Sequence, residues 1–332
     1  YEAEFVLNSL VDMYSKCGNL GDAWRVFSDV SKPSLVRCNA MIEGFAECGN
    51  SNEAFQIFLG MGDLGLEPDK ATFIIILKAC CTTSNLEQGK AIHSHIIRSG
   101  CNLDDVMTTT LIHMYCNCGH LEEAQQTFNS LVEKSVVSWG VMIGGYVEVG
   151  DGYSALHLQE EMENKGMKAN DKIYVCSLKA CGMLGDISKG MHLQNEIVKI
   201  GCEKSVIVGS TLVDMYASCG NLNEACKSFE RLPSRNAISW NAMISGYSQL
   251  GSFKLLKGCL EGMQKDGFKP DGWSFTSILA ACSHEGLVNE GHSYFKSIRE
   301  EHGITPSMEH FNCMIELLGS TGRLQEAERL LQ

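Results

Sequence analysis

The sequence predicts an all-α chain: an α-solenoid of stacked two-helix repeats, about twenty helices, with no sheet. Three observations lead there. First, the phrase "DMYSKCG" at 12–18 returns as "HMYCNCG" at 113–119 and "DMYASCG" at 214–220, 101 residues apart each time. Around it, "LKAC" at 77–80 returns at 178–181 and, as "LAAC", at 279–282; "CNAMIEGF" at 38–45 returns as "WGVMIGGY" at 139–146 and "WNAMISGY" at 240–247. Second, each long period divides into three shorter units of one design. Third, there are only five prolines in 332 residues, few enough for a mostly helical chain. Self-similarity at such periods is the signature of a repeat architecture.

The units are located by a marker two residues before a mostly apolar pair. The markers are Asn8, Asn39, Ile74, Thr109, Gly140, Val175, Ser210, Asn241, Thr276 and Asn312. Their spacings are 31, 35, 35, 31, 35, 35, 31, 35 and 36. The units therefore span 4–34, 35–69, 70–104, 105–135, 136–170, 171–205, 206–236, 237–271 and 272–307, and a tenth occupies 308–332.

Each unit reads as two helices. In the first, Leu7, Leu10, Val11 and Tyr14 follow the 3–4 spacing of an amphipathic helix. Gly18 stops it, because glycine takes the left-handed C′ position without penalty. Asn19 and Asp22 form an N-cap and its partner, and Leu20, Ala23 and Phe27 make the next apolar stripe. The cap recurs at Asn50 with Glu53, His120 with Glu123, and Asn221 with Glu224. Ala54, Ala124, Ala225 and Ala327 repeat a small residue that lets helices approach. The 35-residue units close on "GLEPD", "GMKAN" or "GFKPD", where glycine and usually proline end the second helix. A single helix pair cannot bury its apolar face, but stacked pairs can, and the stack presents a concave face.

Composition bounds the function. The longest apolar run, "FIIIL" at 73–77, is too short for a bilayer span. Net charge is −13, with a pI near 5.2, which argues against strong nonspecific binding to nucleic acid or anionic membrane. Sixteen cysteines in a long chain without a signal peptide suggest buried free thiols in a reducing compartment. A chain that begins at Tyr1 and ends on "RLLQ" reads as a fragment, so it carries no information on targeting segments.

Tetratricopeptide repeats have a different 34-residue pattern. The stretch "NAMISGYSQLGSFKLLKGCLEGMQKDGFKPD" at 241–271 instead resembles the pentatricopeptide repeat, and the 31, 35, 35 rotation resembles that family's plant subclass with alternating short, standard and long motifs. "DMYxxCG" resembles the short motif and "FxxxLKAC" the long one; residues 301–332 resemble variants near the end of such arrays. The resemblance covers residues 4–332. It implies a right-handed solenoid that binds single-stranded RNA at about one base per repeat, in a plant mitochondrion or chloroplast. The implied role is recognition module of an RNA editing or processing factor, cytidine-to-uridine editing above all. With no catalytic or zinc-deaminase motif in these residues, the chain itself is expected not to be an enzyme and to need no cofactor, any deaminase domain lying beyond residue 332 or on another protein.

Single-stranded RNA is read through base edges and stacked faces. The resemblance assigns base choice to the marker and the last residue of each unit, and base wedging to the second residue. Phe5, Val36, Val106, Val137, Ile207 and Ile238 hold the wedging place in the short and standard units, all apolar. The long units carry Ala71, Lys172 and Trp273 there. By the family's pairings, Asn8 with Ser34 resembles a cytidine reader. Asn39 with Asp69 and Asn241 with Asp271 resemble uridine readers, and Ser210 with Asn236 an adenosine reader. Thr109 with Ser135 and Gly140 with Asn170 depart from the common pairs and receive no base. Thr276 with Ser307, and Asn312, complete the reading row. Ile74 and Val175 cannot hydrogen-bond a base. Asp12, Glu43 and Asp214 lie one helical turn after a marker, whereas Lys78 and Lys179 hold that place in two long units, so phosphate neutralisation is expected to be modest.

Catalytic motifs are not found. "HLE" at 120–122 lacks the P-C-x-x-C partner of a zinc deaminase, and His120 falls where other copies have Asn19 and Asn221. Cys116 and Cys118, or Cys80 and Cys81, lack structural zinc spacing, and Cys116 falls where other copies have Ser15 and Ala217. Packing thiols are the simpler reading. Two functions remain open: a sequence-specific single-stranded RNA binder, with editing cofactor proteins touching the long units, or a protein-interaction solenoid whose acidic concave face receives a basic peptide.

Overall fold

A computed structural model describes residues 2–29 and 33–330, and side chains from residue 4 onward. Among the described residues there are twenty α-helices, one single 3₁₀ turn at Cys202–Lys204, and no strand. They fall into two compact units, residues 1–168 and 169–332.

The first unit holds α1 (Glu2–Lys16), α2 (Leu20–Ser28), α3 (Leu35–Glu47), α4 (Ser51–Gly60) and α5 (Lys70–Thr83). It continues with α6 (Leu86–Ser99), α7 (Asp105–Asn117), α8 (Leu121–Asn129), α9 (Val136–Glu148) and α10 (Gly152–Asn164). The second holds α11 (Asp171–Leu184), α12 (Ile187–Ile200), α13 (Val206–Ser218), α14 (Leu222–Glu230) and α15 (Ala237–Gln249). Then come α16 (Phe253–Lys265), α17 (Gly272–Glu285), α18 (Val288–Glu300), α19 (Met308–Ser320) and α20 (Leu324–Leu330).

Within each unit, every odd-numbered helix packs on the next odd-numbered helix, and each even-numbered helix but the last packs between its own partner and the helix that follows. Within each unit the odd-numbered helices thus form one layer. The hairpins close where the sequence places glycine: Gly18, Gly119 and Gly220 have φ of +73°, +75° and +74°, a region that penalises any side chain. Asn19 and Asn221 accept the backbone N–H three residues on, at 3.4 and 3.2 Å. Asn50 and His120 also stand at helix starts, but their side chains make no such cap; His120 turns its Nδ1 to Glu123 instead, at 3.3 Å.

Close layer packing needs small residues at fixed places. A methyl on Gly145 would lie 2.4 Å from Cys116 Sγ, and one on Gly246 would lie 3.1 Å from Ala217 Cβ. Gly44 faces Ser15 in the same way. Cys116 is therefore a spacer equivalent to Ser15 and Ala217, and burial pushes its thiol up to about 12. Tyrosine hydroxyls tie each hairpin to the one before: Tyr115 to His93 (2.8 Å), Tyr146 to Gln125 (3.1 Å), Tyr216 to Gln194 (2.5 Å) and Tyr247 to Cys226 (3.0 Å).

The expectation of buried thiols needs correction at Cys17 and Cys48, which are exposed. Cys219, the counterpart of Cys17, lies 3.7 Å from the Cys181 carbonyl on the preceding odd-numbered helix.

Candidate nucleic-acid interface

Every odd-numbered helix from α3 to α19 begins at an N-cap that is also the last residue of the preceding repeat: Ser34, Asp69, Asp104, Ser135, Asn170, Ser205, Asn236, Asp271 and Ser307. The markers sit in the first two turns of the odd-numbered helices, and Asn8, Asn39, Ser210 and Asn241 lie beside the cap of the next one. Where the cap side chain accepts a backbone N–H, as at Asp69, Asn236 and Asp271, capping fixes in space the residue that closes the candidate pair.

Four sequence-matched pairs meet directly. Asn39 Nδ2 donates to Asp69 Oδ1 at 3.4 Å and Asn241 Nδ2 to Asp271 Oδ2 at 3.0 Å. Ser34 Oγ donates to Asn8 Oδ1 at 3.4 Å, and Ser210 Oγ lies 3.1 Å from Asn236 Oδ1. Three of these closing residues, Asp69, Asp271 and Asn236, also accept the backbone N–H three residues on, at 2.8 to 2.9 Å.

Other positions are not brought together. Ser135 Oγ donates to Asp105 Oδ1 at 3.2 Å rather than to Thr109, whose buried hydroxyl has no partner among the described residues. Thr276 Oγ1 donates to the Gly272 carbonyl of its own helix, while Ser307 turns to His310 Nδ1 at 2.9 Å. Gly140 offers no side chain; Asn170 caps α11 by accepting the Ile173 N–H at 3.0 Å. Asn312 is exposed on α19.

A further residue joins the pairs that sequence pattern alone passed over. The third residue of the following helix reaches back to the marker: Thr72 Oγ1 lies 2.7 Å from Asn39 Oδ1, and Ser274 Oγ 2.9 Å from Asn241 Oδ1. At the first step Arg37 takes that place and donates Nε to Asn8 Oδ1 at 3.0 Å. The available signal was the capping box, Asp-x-x-Ser/Thr, legible at 69–72 and 271–274.

The candidate wedging side chains lie in the first turns of their helices, at the second residue of each except Phe5, the fourth residue of α1. Phe5, Val36, Val106, Val137, Ile207 and Ile238 are 54–74% exposed, and Trp273 in a long unit is 60% exposed. Exposed apolar side chains recurring at one register beside polar pairs make a surface suited to planar ligands with hydrogen-bonding edges.

The electrostatics are mixed. Partial burial pushes the Asp69 carboxyl up, but the Thr72 amide and hydroxyl and the Asn39 amide outweigh it and hold the group below its usual range. Burial pushes the Asp214 carboxyl up, opposed by the Lys179 charge. Asp12 is paired with Lys16 at 2.8 Å. Lys78 lines a groove between α5 and α7 with Thr109, His113 and Asn117. Among the described residues no group of three or more His, Cys, Asp or Glu could hold a metal ion, and no helix is long and apolar enough to cross a membrane.

The PPR repeat family model matches residues 33–82 and 235–284, and the PPR repeat model matches 5–32, 106–136, 137–167, 210–236, 273–302 and 309–332. A pentatricopeptide repeat-containing protein of Arabidopsis thaliana is 37% identical over 99% of this chain and 48% of its own length. The chloroplastic protein CRR2 of the same plant is 35% identical over 99% of this chain and 51% of its own. A mitochondrial relative, also from A. thaliana, is 35% identical over 98% and 48%. The chain spans about half the length of the curated relatives it matches. Among solved structures, the pentatricopeptide repeat protein PPR10 in complex with an 18-nt psaJ RNA element aligns with a TM-score of 0.84 at 18% identity, over 98% of this chain and 49% of that one. PPR10 from maize aligns with a TM-score of 0.72 at 18% identity, over 99% and 53%.

Proposed function

This chain belongs to the pentatricopeptide repeat family, and from that premise we propose that it binds single-stranded RNA sequence-specifically, about one base per repeat. The observation that carries the reading is the asparagine–aspartate pair, formed at both Asn39–Asp69 and Asn241–Asp271 beside an exposed apolar side chain. Such a pair offers one N–H donor and one carboxylate acceptor to a base edge, and the apolar neighbour offers a surface on which the base can rest.

The assigned steps give a partial target. Asn8–Ser34 reads cytidine, Asn39–Asp69 and Asn241–Asp271 read uridine, and Ser210–Asn236 reads adenosine. CU is then followed, after four unassigned positions, by AU. Phe5, Val36, Val106, Val137, Ile207 and Ile238 wedge between bases. Thr109, Ser135, Gly140, Asn170, Thr276, Ser307 and Asn312 lie in the same row without an assigned base.

In the wider reading the chain is the address module of an editing or processing factor in a plant mitochondrion or chloroplast. Relatives named chloroplastic and mitochondrial support the compartment. The long repeats, with apolar markers Ile74 and Val175, would contact a protein cofactor. Net charge of −13 favours one second reading, a solenoid that receives a basic peptide on the same face. A binding assay separates the two: preference for an RNA carrying the spaced bases over a scrambled RNA supports RNA reading, and equal binding supports the peptide reading.

A further inference from the structure

An asparagine amide is a donor on one side and an acceptor on the other, so the way it is held decides what it offers a ligand. At Asn39 the orientation is forced. Nδ2 faces Asp69 Oδ1 at 3.4 Å and Oδ1 faces the Thr72 hydroxyl at 2.7 Å. Flipping the amide would set its oxygen against a carboxylate. Thr72 Oγ1 lies within hydrogen-bond distance of both Asn39 Oδ1 and Asp69 Oδ1, at 2.7 and 2.8 Å. Asn241 repeats this with Asp271 and Ser274. Each pair is left with one outward N–H and one carboxylate, which complements uracil, where an N–H stands between two carbonyls.

The first step is held differently. Arg37 Nε donates to Asn8 Oδ1 at 3.0 Å, and Ser34 Oγ is a second donor at 3.4 Å. A guanidinium has no acceptor, so the amide oxygen must face it. With both lone pairs taken, Asn8 shows the ligand only N–H groups. Cytosine presents acceptors at N3 and O2; uracil carries an N–H at N3, which would meet Asn8 donor to donor. Arg37 is only 1% exposed, and its Nη1 has no partner among the described residues. Burying a guanidinium against a neutral amide is a poor way to gain stability. At the same register the other odd-numbered helices from α5 to α19 carry Thr72, Met107, Ser138, Ile173, Val208, Ser239, Ser274 and His310, none of them a guanidinium.

We propose that the third residue of the following helix is a specificity-determining positioning residue, and that Arg37 makes Asn8 a donor-only reader that selects cytidine against uridine. The inference rests on the RNA reading above, and its test keeps the two apart. The chain and three variants are compared: Arg37→Ser, which supplies the hydroxyl found at Ser274; Arg37→Met, which keeps bulk without a donor; and Thr72→Val. Each is titrated with RNAs that differ only at the first or the second step. The readout is the ratio of affinities for two bases, which a loss of folded protein does not move.

The unaltered chain should prefer cytidine about tenfold at the first step. Both Arg37 variants should bring that ratio to within about twofold of unity while leaving uridine preference at the second step intact. Thr72→Val should do the reverse. An unchanged cytidine ratio in the Arg37 variants overturns the role of Arg37 and leaves RNA reading standing. An unchanged uridine ratio in Thr72→Val overturns the general rule, and it decides that rule even if the Arg37 variants do not fold. No base preference at any step in the unaltered chain overturns the RNA reading itself.

Discussion

Asn241 donates through Nδ2 to Asp271 Oδ2 at 3.0 Å, and the other oxygen of Asp271 accepts the Ser274 N–H at 2.9 Å as the N-cap of α17. One carboxylate thus starts a helix and closes a polar pair, which makes the pair as rigid as the helix start. The two duties can be separated. Asp271→Asn keeps a good cap and should leave stability nearly unchanged while abolishing uridine preference at that step. Asp271→Ala should lose the preference and also about 1 kcal/mol of stability. Denaturant unfolding and single-base RNA titrations measure the two effects; a stable Asp271→Asn chain that still prefers uridine contradicts the assignment.

Exchanging one pair for another should move the base. Ser210→Asn with Asn236→Asp recreates the arrangement of Asn241 and Asp271, with Ser239 already in place as the third residue. The step should change from adenosine to uridine, by about 1–3 kcal/mol in relative affinity. Paired titrations of the double variant check it, and an unchanged preference there means the register of the reading row is wrong.

Layer spacing should be the stability bottleneck, and the thiols should be chemically idle. Gly145→Ala places a methyl 2.4 Å from Cys116 Sγ and should cost about 1–3 kcal/mol. Cys116→Gly should recover part of that loss in the double variant. Cys116→Ala alone should leave RNA affinity unchanged, as expected of a thiol that burial pushes up to about 12. Thermal melts of the three chains test the coupling.

Charge on the reading face should restrain binding. Burial raises the Asp214 carboxyl against the pull of Lys179. A carboxyl raised in the folded state favours folding when protonated, and that contribution is lost as pH rises through its raised folded value. Asp214→Asn should therefore raise the melting temperature at pH 7, with the gain shrinking as pH falls toward the ordinary carboxylate range. The same variant should tighten RNA binding. The dependence of affinity on salt should be shallow, well below that of a protein making about 6–10 phosphate contacts.

The helical hairpins were legible because glycine, cap and apolar stripe recur in phase, and those are local determinants. The pairs Asn39–Asp69 and Asn241–Asp271 were legible as positions because a fixed repeat length brings them to one place. Arg37 was not, since its guanidinium acts only through the packing of α3 against α1, and an arginine in a first turn ordinarily reads as exposed. Thr109 and Ser135 share the spacing of a reading pair but do not meet, because Asp105 offers Ser135 a stronger acceptor nearby. Cys17 looked like its repeats, yet it is exposed where Cys219 meets the preceding odd-numbered helix, a contact outside the phrase itself. Contacts between repeats are what single-repeat patterns leave out.

The central claim is that polar pairs set by helix capping read RNA bases in order. Its most direct test is the affinity of this chain for an RNA carrying CU, four arbitrary bases and AU, in both strand directions, against the same composition scrambled. A preference of about tenfold or more for the spaced sequence is expected in one direction only, lost when Asn39 and Asn241 are both changed to alanine. Equal affinity for ordered and scrambled RNA would contradict it.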